Sequence, residues 1–139
     1  MALDFKAYVA AFQAGDDDGL CERFFTEDAV MATAERTILG RAALREFLRW
    51  AHTDVREVPR PQIILQDENH LTAEIDMDFV ATGDRPDFPF GPMKKGDVIT
   101  VKFFATYTLR GDRVAYLKTC RWPVGVGTTP APDYSHLAG

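Results

Sequence analysis

Two stretches of strict alternation dominate the second half of the chain. Leu71, Ala73, Ile75, Met77 and Phe79 alternate with Thr72, Glu74, Asp76 and Asp78. Val101, Phe103, Ala105, Tyr107 and Leu109 alternate in the same way with Lys102, Phe104, Thr106 and Thr108. A period of two belongs to strands with one covered face. Both segments therefore read as long strands of an antiparallel sheet whose other face meets water or a second subunit. Gly111-Asp112 makes a tight turn into a third strand over 114–122. The faces of that third strand stay open. Either Val114, Tyr116, Cys120 and Trp122 point inward, or Ala115, Leu117, Thr119 and Arg121 do.

The first half carries a helical period instead. Asp4 can cap a helix on which Phe5, Tyr8, Val9 and Phe12 recur at helical spacing, and Gly15 ends it. Asp16 can cap a second helix through Leu20, Cys21, Phe24 and Phe25. Residues 29–33 read as a strand with a short return partner at 37–39. Gly40 opens a third helix with Ala43, Leu44, Phe47, Leu48 and Ala51 on its buried stripe and Arg41, Arg45, Glu46 and Arg49 outside. Pro59 and Pro61 mark 53–61 as a connector, and 62–66 is a short apolar strand. Helices early and strands late make an α+β protein.

Two segments lie outside this frame. Residues 83–96 hold Pro86, Pro89, Pro92, Phe88 and Phe90, too much proline to stay in a sheet. The segment is either a lid over a pocket or a surface loop with its two Phe tucked against the sheet. The Pro- and Gly-rich segment 123–139 reads as a tail, mobile or laid over a neighbouring subunit.

The chain has 139 residues, enough for one domain that buries roughly two-thirds of its unfolded surface. Its ten Phe can line a wide apolar interior as well as fill one. A net charge of −5 argues against a nucleic-acid partner, which needs clustered Lys and Arg. No apolar run approaches the ~20 residues of a membrane span, and the amino terminus lacks a basic-then-apolar signal. Cys21 and Cys120 have no metal-like spacing and read as reduced core thiols of a cytoplasmic protein. No His/Asp/Glu cluster has ligand spacing, and no Ser-His-Asp or phosphate-loop arrangement occurs, so neither metal nor cofactor is expected.

The ordered set of local features carries a resemblance. Tyr8 stands seven positions before Gly15-Asp16. The run Phe25-Thr26-Glu27-Asp28-Ala29-Val30 follows, then Gly40-Arg41 with Phe47, and last the hairpin around Gly111. Over residues 3–122 the chain resembles the nuclear transport factor 2-like superfamily, in its SnoaL-like and ketosteroid isomerase-like branch. The resemblance implies a cone-shaped, curved antiparallel sheet wrapped around three N-terminal helices (a cystatin-like α+β barrel). It also implies a deep apolar pocket and, in many members, a homodimer, here formed through the outer sheet face. The domain would span 1–122, with 123–139 as a C-terminal tail. Family activities range over isomerases, dehydratases, epoxide hydrolases, polyketide cyclases and pure binding proteins.

Carried over residue by residue, the resemblance is uneven. Tyr8 matches the tyrosine that donates to the substrate oxygen in the steroid isomerases. Thr33 stands where their basic aspartate would be, and Ala105 where their second donor would be. A threonine hydroxyl is no base near neutral pH and alanine donates nothing, so that particular mechanism does not fit. Asp28 resembles a structural acid of the family, expected to bond backbone amides near the first strand.

Among groups that can move a proton, His52 sits at the end of the third helix, either lining the pocket or acting as a helix-end cation. His70 reads as a turn residue and His136 as part of the tail. Asp76 and Asp78 fall on the outer face, for an ion pair with Lys102 or a dimer contact, unless a bulge turns one inward. The hydroxyl of Tyr107 either meets a ligand or satisfies itself at the rim. An inward Arg121 would favour a carboxylate, enolate or phenolate. The catalytic candidates are thus Tyr8, His52 and Arg121. The expected pocket lining is Phe12, Phe24, Met31, Thr33, Phe47, Met77, Phe103, Ala105 and Tyr107.

Two functions remain open. One is a cofactor-independent isomerase, dehydratase or cyclase acting on a small hydrophobic carbonyl or cyclic compound. The other is a non-catalytic module for small-ligand binding or dimerisation.

Overall fold

The computed structural model describes residues 2–138. Helix α1 (Phe5–Ala14) begins where the Asp4 carboxylate accepts from the amide of Ala7. It ends at Gly15, whose left-handed φ of 76° lets its amide reach the Phe12 carbonyl. Helix α2 (Asp17–Phe24) starts on Asp16 in the same manner, accepting from Gly19. Strands β1 (Phe25–Ala32) and β2 (Thr37–Leu39) follow, then helix α3 (Arg41–Ala51). The long strands are β3 (Val55–Gln66), β4 (His70–Ala81), β5 (Val98–Arg110) and β6 (Arg113–Arg121), and a short α4 (Ser135–Ala138) is the last described element.

All six strands form one sheet in the order β2-β1-β6-β5-β4-β3. Its neighbours run antiparallel except β1 and β6, which are parallel. The sheet is curved and keeps two free edges, the expected curved sheet around N-terminal helices, with the one parallel pair β1–β6 added to an otherwise antiparallel order. Helices α1, α2 and α3 pack against its concave face. There Leu20, Phe24, Phe25, Leu44, Leu71, Val101 and Val114 form the tightest part of the core.

Three local readings change. Residues 53–61 are not a connector but the start of β3. That strand is the sheet's edge, where Pro59 and Pro61, opposite Met77 and Ile75, need no partner for their missing N–H. On α3, Leu44 and Leu48 are buried and Phe47 is half-buried, whereas Ala43 faces solvent. On β6 neither inward set is complete. Register steps from Thr108↔Tyr116 to Leu109↔Val114, so Ala115 is the extra residue of a bulge. Val114 and Leu117 both end up buried, and Tyr116 turns out.

The outer face also departs from expectation. Its Asp76 and Asp78 do point away from the helices, yet both are fully buried, because residues 123–138 fold back over them. Asp76 accepts from Thr129 through its amide at 2.9 Å and its hydroxyl at 2.7 Å. Asp78 accepts from Tyr134. The expected Lys102 ion pair is present, at 2.7 Å to Asp76. The tail thus lies on its own sheet, in place of a mobile segment or one spread over a neighbour. Ile63 and Trp122 remain exposed beyond its edge.

Cys21 is buried, but Cys120 is exposed on the outer face and is no core thiol; both are free. Asp28 pairs with the Arg110 guanidinium and accepts from the Thr26 hydroxyl in place of backbone amides. Among the described residues no helix is long and apolar enough to cross a membrane.

Candidate functional site

Between the concave face of the sheet and the helices lies a hollow of about 250 Å³. Its walls come from α1 (Tyr8, Phe12), α3 (Phe47, Trp50), β4 (Ile75, Met77, Phe79) and β5 (Phe103, Ala105). Period-two alternation on β4 and β5 turns these side chains toward the helices. Loop 83–96 supplies the remaining wall. It is pinned by the reciprocal Arg85–Met93 backbone bonds, at 2.8 and 3.0 Å. The Arg85 guanidinium donates to the carbonyls of Trp50, Ala51 and Thr53, satisfying the end of α3. Phe88 and Phe90 then pack against Phe79 with tilted rings, each at 5.2 Å between ring centres. Both readings of this loop meet here, since the tucked phenylalanines are themselves the wall.

Polar groups are few. Tyr8 is buried with its ring 5.7 Å from that of Tyr107, and both border the hollow. Burial, then the neighbouring Tyr107 and the charge of Glu57, push the Tyr8 phenol well above its ordinary value. Burial likewise raises Tyr107, against an opposing hydrogen-bond effect from Tyr8. Both phenols therefore hold their protons.

Glu57 is the carboxylate of the interior. It borders the hollow from β3, and its Oε1 lies 2.7 Å from Nε2 of His52. Nδ1 of the same imidazole lies 2.6 Å from Asp17 at the start of α2. Burial alone would lower the His52 pKa, but the hydrogen bonds to Asp17 and Glu57 carry it up to about 9. The ring is accordingly an imidazolium near neutral pH, donating both protons. Bonds from Arg56 to the Gln13 carbonyl (3.0 Å) and from Gln13 to the Pro59 carbonyl (3.1 Å) tie this part of β3 to α1.

The expected residues distribute as follows. Phe12, Met31, Thr33, Phe47, Met77, Phe103, Ala105 and Tyr107 border the hollow, as does Tyr8. Phe24 lies behind Tyr8, edge-on at 5.6 Å, and does not reach it. His52 stands one layer back, behind Glu57. Arg121 is at the mouth, over the Phe90 ring at 4.7 Å and paired with Glu35. Thr33 takes a structural part, its hydroxyl accepting from the amides of Glu35 and Arg36 at the β1–β2 turn. Sequence reasoning missed Glu57 because the prolines marked its segment as a connector. The alternation Val55, Glu57, Pro59 against Arg56, Val58, Arg60 was the available signal. Among the described residues no three His, Cys, Asp or Glu side chains converge as a metal site requires.

An open, curved sheet folded over three N-terminal helices around an apolar hollow is the nuclear transport factor 2-like fold, also called ketosteroid isomerase-like. Within it the chain belongs to the SnoaL-like domain family, which matches residues 5–117. Solved structures agree on the fold. SalBIII, an epoxide hydrolase/cyclase-like enzyme in pyran ring formation in the polyether salinomycin, superposes with a TM-score of 0.70 at 18% identity, covering 88% of this chain and 92% of that one. A protein of Xanthomonas campestris pv. campestris proposed to be a polyketide cyclase gives 0.67 at 22% identity, over 84% and 85%. An LEH-like epoxide hydrolase of M. tuberculosis gives 0.66 at 13% identity, over 85% and 79%. No curated protein matches the chain.

Proposed function

We propose that this chain is a cofactor-independent enzyme of the isomerase, dehydratase or cyclase type, moving a proton on a small hydrophobic carbonyl or cyclic compound. The observation that carries the reading is that Glu57 and the Tyr8 and Tyr107 phenols border one largely apolar hollow. A carbonyl oxygen seated against the phenols accepts a hydrogen bond that strengthens as enolate charge develops. Glu57 removes the adjacent proton and returns it elsewhere, or gives it to a leaving hydroxyl. Its Oε1 is engaged by His52, which leaves Oε2 to meet the substrate. The Asp17–His52 pair fixes the carboxylate's orientation, so less reorganisation accompanies the transfer. This scheme does without a base at residue 33 and a donor at residue 105. Relatives named for cyclisation and epoxide opening are compatible with it.

Exchange of α-protons for deuterium, followed by NMR on cyclic ketones of steroid, polyketide and terpene type, tests the reading. Glu57→Gln keeps the shape and should slow exchange by about 10²–10⁴-fold, the usual share of a general base. Equal rates in the variant and the parent protein would end the proposed role of Glu57. A second reading, a binding module, rests on Thr33 and Ala105 standing where the family's base and second donor would be. It predicts ketones that bind without exchanging.

A further inference from the structure

The mouth of the hollow differs in charge from the rest of the molecule. The chain as a whole carries −5. At the mouth two guanidiniums, Arg36 and Arg121, face one carboxylate, Glu35. Arg121 takes that carboxylate for itself and holds it below the usual carboxylate range. Arg36 is left over. Among the described residues no carboxylate pairs with it. Its guanidinium lies on aromatic rings, 5.0 Å from the centre of Phe47 and 5.6 Å from that of Trp50, both of which border the hollow. Arg85 also lies over the Trp50 ring, at 5.2 Å.

Stacking of this kind shields the guanidinium's face and leaves its N–H edge free, the edge that matches a carboxylate in two parallel hydrogen bonds. The backbone beneath is braced. The Thr33 amide donates to the Arg36 carbonyl at 2.8 Å, and the Thr33 hydroxyl accepts from the amides of Glu35 at 3.2 Å and Arg36 at 3.1 Å. An unpaired cation on a rigid turn, at the rim of an apolar chamber, complements a molecule with opposite properties at its two ends.

We infer that the ligand of this hollow is an amphipathic anion, its apolar body in the chamber and its carboxylate at the mouth against Arg36. This rests on the hollow being a ligand site, though not on its chemistry there. Arg121 is already neutralised by Glu35 and is not the anchor. The neutral ketones that suffice for proton exchange would then be truncated versions of the true substrate, lacking its anchoring group.

Three probes of one shape test the inference: 2-naphthoate, neutral 2-naphthamide and cationic 2-naphthylmethylamine. Trp122→Phe removes the indole on the outer face, so the fluorescence of Trp50 reports on the mouth. The acid should bind at least about tenfold more tightly than the amide and the amine most weakly, with the preference shrinking as salt rises. Arg36→Gln should bring the acid down to the amide's affinity while the amide's own affinity stays put, which also certifies the fold. Arg36→Lys should keep part of the preference, because the charge remains and the fork is lost. Equal binding of acid and amide, or a preference that survives Arg36→Gln, overturns the inference and leaves the reading of Glu57 intact. Failure of all three probes to bind overturns it together with the hollow as a ligand site.

Discussion

Strand β4 shows the molecule's two faces side by side, and their difference separates structure from function. Ile75, Met77 and Phe79 look inward, while Asp76 and Asp78, on the same strand, look outward, and all five are buried. On the outer face every charge is closed off. Asp78 accepts from Arg60 at 2.7 and 3.0 Å, from Thr100 at 2.7 Å, and from Tyr134. Lys102 is shared between Glu74 and Asp76, each at 2.7 Å. A network whose charges are matched by the protein's own side chains has little to offer a ligand. The inner face has far fewer polar groups, but Glu57, Tyr8, Tyr107 and Arg36 border empty space. Burial costs a charge the same on either side. What marks the inner groups is the hollow they border, which a guest molecule can fill.

The sharpest way to break this comparison is to remove an outer charge. Asp78→Ala leaves the half-buried Arg60 guanidinium without its bidentate partner, and cutting one member from a buried pair costs about 3–5 kcal/mol. Urea unfolding should show a lower midpoint with an unchanged slope. A cost below about 1 kcal/mol would make the outer cluster dispensable and undo the contrast.

Next in size is the pH dependence, which belongs to the inner face. Free histidine titrates near 6.5 and His52 near 9, so folding takes up a proton as pH rises between them. The stabilisation is complete below the unfolded value and is lost as pH climbs through 9. At 1.36 kcal/mol per unit this comes to about 3 kcal/mol at most. Melting temperatures measured from pH 6 to 9.5 should fall across that window, and His52→Gln should flatten the fall. The arginines of the outer face stay charged throughout, so the slope reads the inner side. A parent protein equally stable at both ends of the range would mean that His52 does not bridge Asp17 and Glu57 in solution.

Much of this was legible in the sequence, for identifiable reasons. The caps at Asp4 and Asp16, the return at 37–39, and the inward sets on β4 and β5 all follow from local chemistry and period, and they came out as read. The outward turn of Asp76 and Asp78 followed from the same period. Their burial did not, because it depends on residues fifty positions later folding back. The edge position of β3 is equally non-local. Pro59 and Pro61 forbid a central strand but not an edge, and which strand is an edge is a property of the whole sheet. Glu57 was lost with that misreading. The bulge at Ala115 mixed two inward sets that period alone kept apart. His52 was read as a proton-moving candidate or a helix-end cation, but its two carboxylate partners come from α2 and β3, so its place behind Glu57 could not be read from its own helix.

The smallest effect is also the most direct comparison, because a buried phenol can be removed from either face. The hydroxyl of Tyr134 donates to a fully buried carboxylate on the outer side. That of Tyr8 sits beside Tyr107 at the edge of the hollow. A hydrogen bond to a charged acceptor contributes about 1.5–3 kcal/mol, and one between neutral groups about 1 kcal/mol. Asp78 keeps its other donors, so Tyr134→Phe should cost about 1.5 kcal/mol. Tyr8→Phe should cost about 0.5–1 kcal/mol, while lowering α-proton exchange far more than stability. The outer variant should do the reverse, weakening the fold and sparing exchange. If Tyr8→Phe unfolds the protein more readily than Tyr134→Phe and leaves exchange untouched, then Tyr8 is a core residue like its counterpart, and the inner face has lost the donor that makes it a site.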